Sequence, residues 1–406
     1  MSNVLRPATE WELQSMMASL AERHIAVEVI GAGSKRACGR PVGASAILST
    51  AMLRGITLYE PTELVMSARS GTPLSQIEVE LAARGQMLPF EPIDLGALLG
   101  QQPGLQTIGG VFGANLSGPR RFVAGAARDH VLGIQAVNGR GEPFKSGGRV
   151  MKNVTGIDLA RGITGSWGTL AVFSEVTFKV LPLPDDLVTL VFRGLTDELA
   201  TELMCAAAGS PYEVSGAIHL TETLARRLRT GELAEDKKSL TALRIENFSK
   251  SVDYRKGRLK ELLVAFGRPD ELDLDLSLKF WVELRRFSVM PNSAAQVWRI
   301  STAPRNGPKL VASIRRHVPV EAYYDWSGGL IWLEMQASAD AGAADVRRAV
   351  ASFGGHATLI RADDAVRREV QVFQPLTPAV SRITQGLKAA FDPLGILNPG
   401  RMYANL

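Results

Sequence analysis

Cysteine is nearly missing from this chain: there are two in 406 residues, Cys38 and Cys205, far apart. Two isolated thiols cannot build a CxxC zinc site or supply four ligands to an iron–sulfur cluster, and they fit a reducing compartment. If electrons leave the protein, its own cysteines do not carry them. Histidine is also scarce. His24, His130, His219, His317 and His356 share no metal-ligand spacing. No long apolar run is present. The stretch "AILSTAMLRGITL" is broken by Arg54 and is too short to span a bilayer. The start, "MSNVLRPATEWELQSMM", lacks the basic-then-apolar pattern of a secretory signal. The expectation is a cytoplasmic protein with no direct membrane insertion, held at a membrane only through a partner. No charge stripe exists either. The net charge is +5, but basic residues are scattered among acids, as in "ARRLRTGELAEDKK", and are not interleaved with aromatics. That argues for solvated helix faces and against a nucleic-acid partner. The P-loop pattern, low-complexity segments and solenoid repeats are likewise missing.

What is present is glycine, 39 residues of it, in a chain long enough for two cores. "TEWELQSMMASLAERH" reads as a helix capped by Thr9, and "IAVEVIGAG" as a buried strand running into a turn. "PLSQIEVELAARG" is a helix closed by Gly85. Between 130 and 183 the pattern is strands, with a hairpin signal at Asn138 and Gly139. The prolines of "VLPLPDD" mark a boundary. Residues 184–375 alternate strands and helices in two successive α+β groups, as an antiparallel sheet with helices on one face requires. Residues 376–406 read as a helix followed by an ordered turn. The fold class is α+β, with units at 1–183, 184–375 and the returning 376–406.

Three glycine clusters carry the chemistry. "EVIGAGSKRACG" follows a strand, but Arg36 occupies the sixth fingerprint position and Gly39 and Pro41 prevent a helix, so it is a loop and not a dinucleotide elbow. Such a loop can turn successive N–H groups toward one anion. "TIGGVFGANLSGPRR" and "GITGSWGTLAVFSEV" add backbone access and hydroxyls near other strand ends. The residues alone leave two options: a long polyanionic ligand threaded through one domain, or a loop-rich scaffold.

"VIGAGSK", "SGTPLSQIEVELAARGQMLPFEP", "TIGGVFGANLSGPRR", "KNVTGIDLARGITGSWGTLAVFSEVTFKVLP" and "FDPLGILNPGRMY" together resemble the FAD-binding flavoproteins of the vanillyl-alcohol oxidase (PCMH) type. Within that family they look most like the smaller, E-type flavin-binding subunits of glycolate oxidase. The resemblance implies a PCMH-type FAD domain over 1–183 and an α+β cap over 184–375, with the tail returning to the FAD domain. It implies pyrophosphate contacts from Gly31, Ala32, Gly33, Ser34 and Lys35. Contacts along pyrophosphate and flavin fall to Thr107, Ile108, Gly109, Gly110, Gly113, Ala114, Asn115 and Ser117. The adenosine end falls to Gly165, Gly168, Thr169 and Val172, and Asn398 approaches the ring system. Two positions depart from the family: Ile157 stands where a tyrosine is common, and Trp167 where catalytic relatives carry glutamate. No histidine lies near the first loop, and Cys38 reads as an idle thiol, so non-covalent FAD is expected.

The implied activity is oxidation of glycolate to glyoxylate, with electrons passing through flavin to an iron–sulfur partner and a second flavin subunit completing the complex. A self-sufficient oxidase of another 2-hydroxy acid, or an assembly subunit with a vestigial site, stays open. No catalytic residue is assigned. Arg120, Arg121 and Lys152 are candidates to hold phosphate or a substrate carboxylate, or else to make surface ion pairs; His130 lies near the flavin or is a satisfied core histidine; Arg285, Arg286, Tyr324 and Trp326 face the ring or serve ordinary packing and surface roles.

Overall fold

The structure, a computed structural model, describes residues 3–149, 157–231 and 233–406. The first helix runs Glu10–Glu22. Thr9 Oγ1 accepts the Glu12 N–H at 3.1 Å, and the Glu12 carboxylate accepts the Ala8 N–H. This reciprocal cap offsets the unpaired donors of the first turn. The buried stripe Leu13, Met17 and Leu20 then packs on a three-stranded parallel sheet, ordered Asn3–Leu5, Ala46–Ser49, Val27–Ile30.

A five-stranded antiparallel sheet follows, ordered Ile56–Glu60, Val65–Arg69, Ala171–Lys179, Val131–Asn138, Pro143–Gly147. The hairpin signal at Asn138 marks a real reversal, but the loop is longer than Asn-Gly. Asn138 Oδ1 accepts the N–H groups of both Arg140 and Glu142, and Gly141 takes the positive φ of 79°.

The two expected α+β groups share one eight-stranded antiparallel sheet. Its order is Asp270–Leu272, Asp186–Arg193, Leu240–Asn247, Gly216–Leu220, Val320–Asp325, Leu330–Met335, Gln296–Ser301, His356–Arg361. The groups join between Gly216–Leu220 and Val320–Asp325, where His219 pairs with Tyr324 and Leu220 with Tyr323. Helices Asp197–Ala208, Ser249–Leu262, Gly307–Arg315 and Ala343–Phe353 cover one face. The other face packs on helix Leu274–Arg285 and on the glycine-rich half through Phe90, Phe112 and their neighbours. Both faces are buried, so "DLVTLVFR" reads as a continuous apolar run. Leu187 and Val191 serve one core, while Val188, Leu190 and Phe192 serve the other.

The tail helix Pro378–Phe391 ends at Asp392, which is almost fully buried. Lys388 Nζ bonds the Asp392 carboxylate at 2.8 Å, the Thr169 carbonyl at 2.8 Å and the Leu397 carbonyl at 2.9 Å. Leu397 then bridges in parallel to Val27, closing the chain onto the edge of the first sheet. Among the described residues no helix is long and apolar enough to cross a membrane.

Candidate functional site

The Val27–Ile30 strand runs out into Gly31–Lys35, and the segment after Thr107 folds against that loop. Thr107 caps the short helix Ile108–Gly113, its Oγ1 accepting the Gly110 N–H at 3.3 Å. A Cβ on Gly31 would stand 2.4 Å from Thr107 Oγ1, so only glycine lets the two segments meet. Gly113 is different. A Cβ there meets no described protein atom within 4 Å, because the position faces an open cleft.

Of the residues expected from sequence, Gly31, Ala32, Gly33, Ser34, Lys35, Thr107, Gly109, Gly110, Gly113, Ala114, Gly168 and Val172 line this cleft. The other six stand behind it. Ile108 is core. Asn115 Oδ1 accepts the Arg128 N–H, and Ser117 Oγ accepts the Ala127 N–H, each at 3.0 Å. Gly165 N–H donates to the Phe112 carbonyl, and Thr169 Oγ1 donates to the Ser166 carbonyl. Asn398 ties walls together. Its Oδ1 accepts the Val29 N–H at 2.8 Å, and its Nδ2 donates to the Trp167 carbonyl at 2.7 Å and to the Val29 carbonyl. Its amide is spent on backbone.

The remaining wall was not assigned from sequence: Val29, Ile30, Arg36, Thr50, Ser70, Ser166, Trp167, Ala171, Phe173 and Arg401. Ser70, Ser166 and Arg401 lie inside stretches that the motifs quoted above contain or adjoin, but spacing gave no reason to choose them. Trp167, at φ +56°, sets its ring edge-to-face with Phe373 at 5.7 Å.

The electrostatics of the cleft have one sign. Lys35, Arg36 and Arg401 line it, and no aspartate or glutamate does among the described residues. Arg36 is neutralised by Glu28 at 2.5 Å. Lys35 is not, among the described residues: its Nζ bonds Ser34 Oγ at 3.3 Å, and its head lies beside Gly110. Burial pulls the Lys35 ammonium down to about 8 against the weak opposing charges of Cys38 and Asp94. The Ala32, Gly33, Ser34 and Lys35 N–H groups have no acceptor among the described residues. The Ser70 and Ser166 hydroxyls and Arg401 Nε are buried without partners. Orphaned buried donors around an uncompensated cation are costly unless a ligand satisfies them. The requirement here is an anion rich in acceptors, with flat or small groups on either side. The donor set fits a dinucleotide pyrophosphate.

The other candidates are placed as follows. Arg120 is tied bidentately to Glu246 at 2.7 and 2.5 Å. Arg285 reaches Glu78 at 2.7 Å and the Pro92 carbonyl, and Arg286 is exposed. Tyr324 donates to Asp197 at 2.8 Å. His130 Nε2 lies 2.7 Å from the Ala124 carbonyl, packed on Phe90, and burial holds its pKa below the ordinary value. Arg121 stacks on Trp326. Lys152 lies outside the described residues. The seam between the glycine-rich half and the eight-stranded sheet is clamped by Glu91 and Arg244, at 2.8 and 2.9 Å. Burial alone would raise the Glu91 carboxyl, but the charges of Arg244 and Arg120 hold it down to about 2.

A family model described as an FAD binding domain matches residues 1–147. The glycolate oxidase subunit GlcE of Escherichia coli (strain K12) is 35% identical over 380 residues, 93% of this chain and 92% of that one. The glycolate oxidase subunit GlcD of Bacillus subtilis (strain 168) is 25% identical over 189 residues, covering 46% of this chain and 38% of that one. Among solved structures, p-cresol methylhydroxylase superposes with a TM-score of 0.77 at 12% identity, covering 99% of this chain and 88% of that one. Fold and cleft together define an FAD-linked oxidoreductase of the PCMH type, and the cofactor is FAD. The chain belongs to the family of the glycolate oxidase subunit GlcE.

Proposed function

We propose that this chain is a flavin subunit of a glycolate-oxidising complex, converting glycolate to glyoxylate with a second flavin subunit and an iron–sulfur subunit as partners. The observation that carries the flavin part is a cleft lined by Lys35 and by four N–H groups unpaired among the described residues, with no carboxylate among the described residues that line it. On this reading Ala32–Lys35 and the Lys35 ammonium hold the pyrophosphate, and Gly110 and Gly113 leave room along it. Ser70 and Ser166 supply hydroxyls, and Trp167 and Phe173 supply flat apolar wall. Bound FAD supplies a two-electron acceptor at its ring. The chain's own residues bind it, orient it and shield it from water.

Attachment is non-covalent on this reading. Cys38 is the cysteine nearest the first loop. It is fully buried in the core, and burial pushes its thiol up to about 11, so it is not a nucleophile at neutral pH. The likeness to GlcE over nearly the whole chain supports glycolate as substrate, and the partial likeness to GlcD supports a related second subunit. We assign residues 1–183 to flavin, 184–375 to a cap over the substrate, and 376–406 to a clasp. Association with a membrane, where it occurs, runs through a partner.

The test is anaerobic titration with glycolate, of the chain alone and of the complex co-purified with its partners. Bleaching of the flavin in the complex, with glyoxylate formed in equal amount, is expected. A complex whose flavin stays oxidised under excess glycolate contradicts the substrate assignment.

A further inference from the structure

The seam holds a second basic feature that the flavin cleft does not use. Trp326 follows the Val320–Asp325 strand in a left-handed turn, with φ +51° at Trp326 and +59° at Ser327. The turn is locked at both ends. Asp325 Oδ1 accepts the Trp326 N–H at 2.7 Å, and the indole Nε1 donates to the Gly118 carbonyl at 3.0 Å. The buried indole is thereby fixed between the two halves.

Two guanidinium groups converge on that ring. Arg121 Cζ lies 4.3 Å and Arg299 Cζ 5.2 Å from its centroid, and Arg299 is also 5.9 Å from Trp332. Neither side chain has a hydrogen bond or an ion pair among the described residues. Arginines nearby do have partners: Arg120 with Glu246, Arg244 with Glu91, Arg361 with Glu334. Both residues are partly exposed. Burial, and then the charge of Arg121, brings Arg299 down to about 10. Asp325 is a poor countercharge, because burial pushes its carboxyl up to about 7. His356 stands opposite Ser301 on the neighbouring strand, held below its ordinary pKa by burial and then by Arg299 and Arg121. Asp129 offsets part of the Arg121 charge from a distance, but no carboxylate pairs with either head among the described residues. Cation–π contact alone, worth about 0.5–2 kcal/mol, compensates poorly for two desolvated like charges.

The place also fits. Gly118, which anchors the indole, is four residues past Ala114 on the cleft wall, at most about 14 Å along the chain. The planar forks of two arginines match the two oxygens of a carboxylate.

We propose that Arg121 and Arg299, arrayed on Trp326, form a carboxylate site for a small 2-hydroxy acid, so that this chain holds its own substrate site. The proposal rests on the flavin-oxidoreductase reading above. Arg299 lies in "AQVWRISTAP", which carries no motif, and only the sheet brings it to Arg121.

The test uses the full chain as purified and oxalate, a two-carbon dicarboxylate that is not oxidised as a 2-hydroxy acid, followed by titration calorimetry. Flavin content is read separately by absorbance. Oxalate should bind at one site per chain and be displaced by glycolate, but not by glycolamide or inorganic phosphate. Arg121→Met and Arg299→Met should each weaken oxalate roughly tenfold to a hundredfold, with flavin content unchanged, since charge-assisted bonds of that kind are lost. R121K and R299K, which keep charge and fold, should fall in between. Wild-type protein that does not bind oxalate, lysine and methionine variants that bind it like wild type, or phosphate that competes equally would each overturn the site. A coloured chain that ignores oxalate removes this proposal alone. A colourless chain that binds oxalate removes the flavin reading, and the substrate role with it, and leaves only the carboxylate-binding geometry standing.

Discussion

Lys35 makes flavin binding depend on pH in a direction set by the cleft. Without ligand its ammonium titrates at about 8, against the ordinary 10.5. A bound pyrophosphate, next to the same ammonium, restores the ordinary value or exceeds it. Below about pH 8 the lysine is charged with or without ligand, and affinity is flat. Above it each binding event takes up a proton, so affinity falls up to tenfold per pH unit, about thirtyfold between pH 7 and 9.5. Stability of the unliganded chain moves the other way. Between pH 8 and 10.5 the unfolded lysine binds more protons than the folded one. The cost of burying the charge is therefore full below pH 8 and is relieved as pH rises, by up to roughly 3 kcal/mol. The assay is quenching of FAD fluorescence across pH 6.5–9.5 for wild type and Lys35→Met, with urea unfolding of both in parallel. The variant should bind roughly tenfold to a hundredfold more weakly at pH 7 and lose the slope above pH 8. A wild-type affinity that stays flat to pH 9.5, or a slope that survives in K35M, refutes the reasoning.

Three further outcomes are expected. Gly113→Val should leave the unfolding midpoint of the unliganded chain nearly unchanged yet abolish measurable FAD retention, whereas Gly31→Ala should destabilise the unliganded chain, its Cβ meeting Thr107; differential scanning of both apo proteins separates the two cases. Asp392→Ala strands Lys388 without its buried partner and frees the Ile396 and Leu397 N–H groups, and should cost about 3–5 kcal/mol in urea unfolding. Glu91, held at about 2 against the ordinary 4.5, contributes stability that is fully present above pH 4.5 and is lost as pH falls through 2, up to roughly 3 kcal/mol; the gap between wild type and Glu91→Gln in urea unfolding should narrow by roughly 2 kcal/mol between about pH 7 and pH 3.

Much of this was legible in the sequence because backbone chemistry writes itself in glycine and caps. Thr9, the Gly31–Lys35 loop and Thr107 announce a turn, a nest and a cap locally, and twelve of the eighteen expected residues line one cleft. The rest depends on contacts between distant segments. Asn398 lies in a conspicuous motif, but whether its amide faces a ligand or the Val29 backbone is decided by a pairing 369 residues apart in sequence. Ser70 and Ser166 are ordinary serines until burial leaves their hydroxyls unpartnered. The single eight-stranded sheet escaped notice because only two residue pairs join its halves, and no periodicity marks them. Arg121 and Arg120 are adjacent and chemically identical, and only the fold gives one of them a carboxylate.

The visible absorption spectrum of the purified chain, taken before and after acid precipitation, tests the central claim most directly. The account predicts flavin bands at one FAD per chain that pass wholly into the supernatant, a cofactor held by Lys35 and the backbone nest with no covalent bond. Colour that stays with the precipitate contradicts non-covalent binding. A chain that remains colourless after incubation with FAD contradicts the assignment of this cleft as a working flavin site.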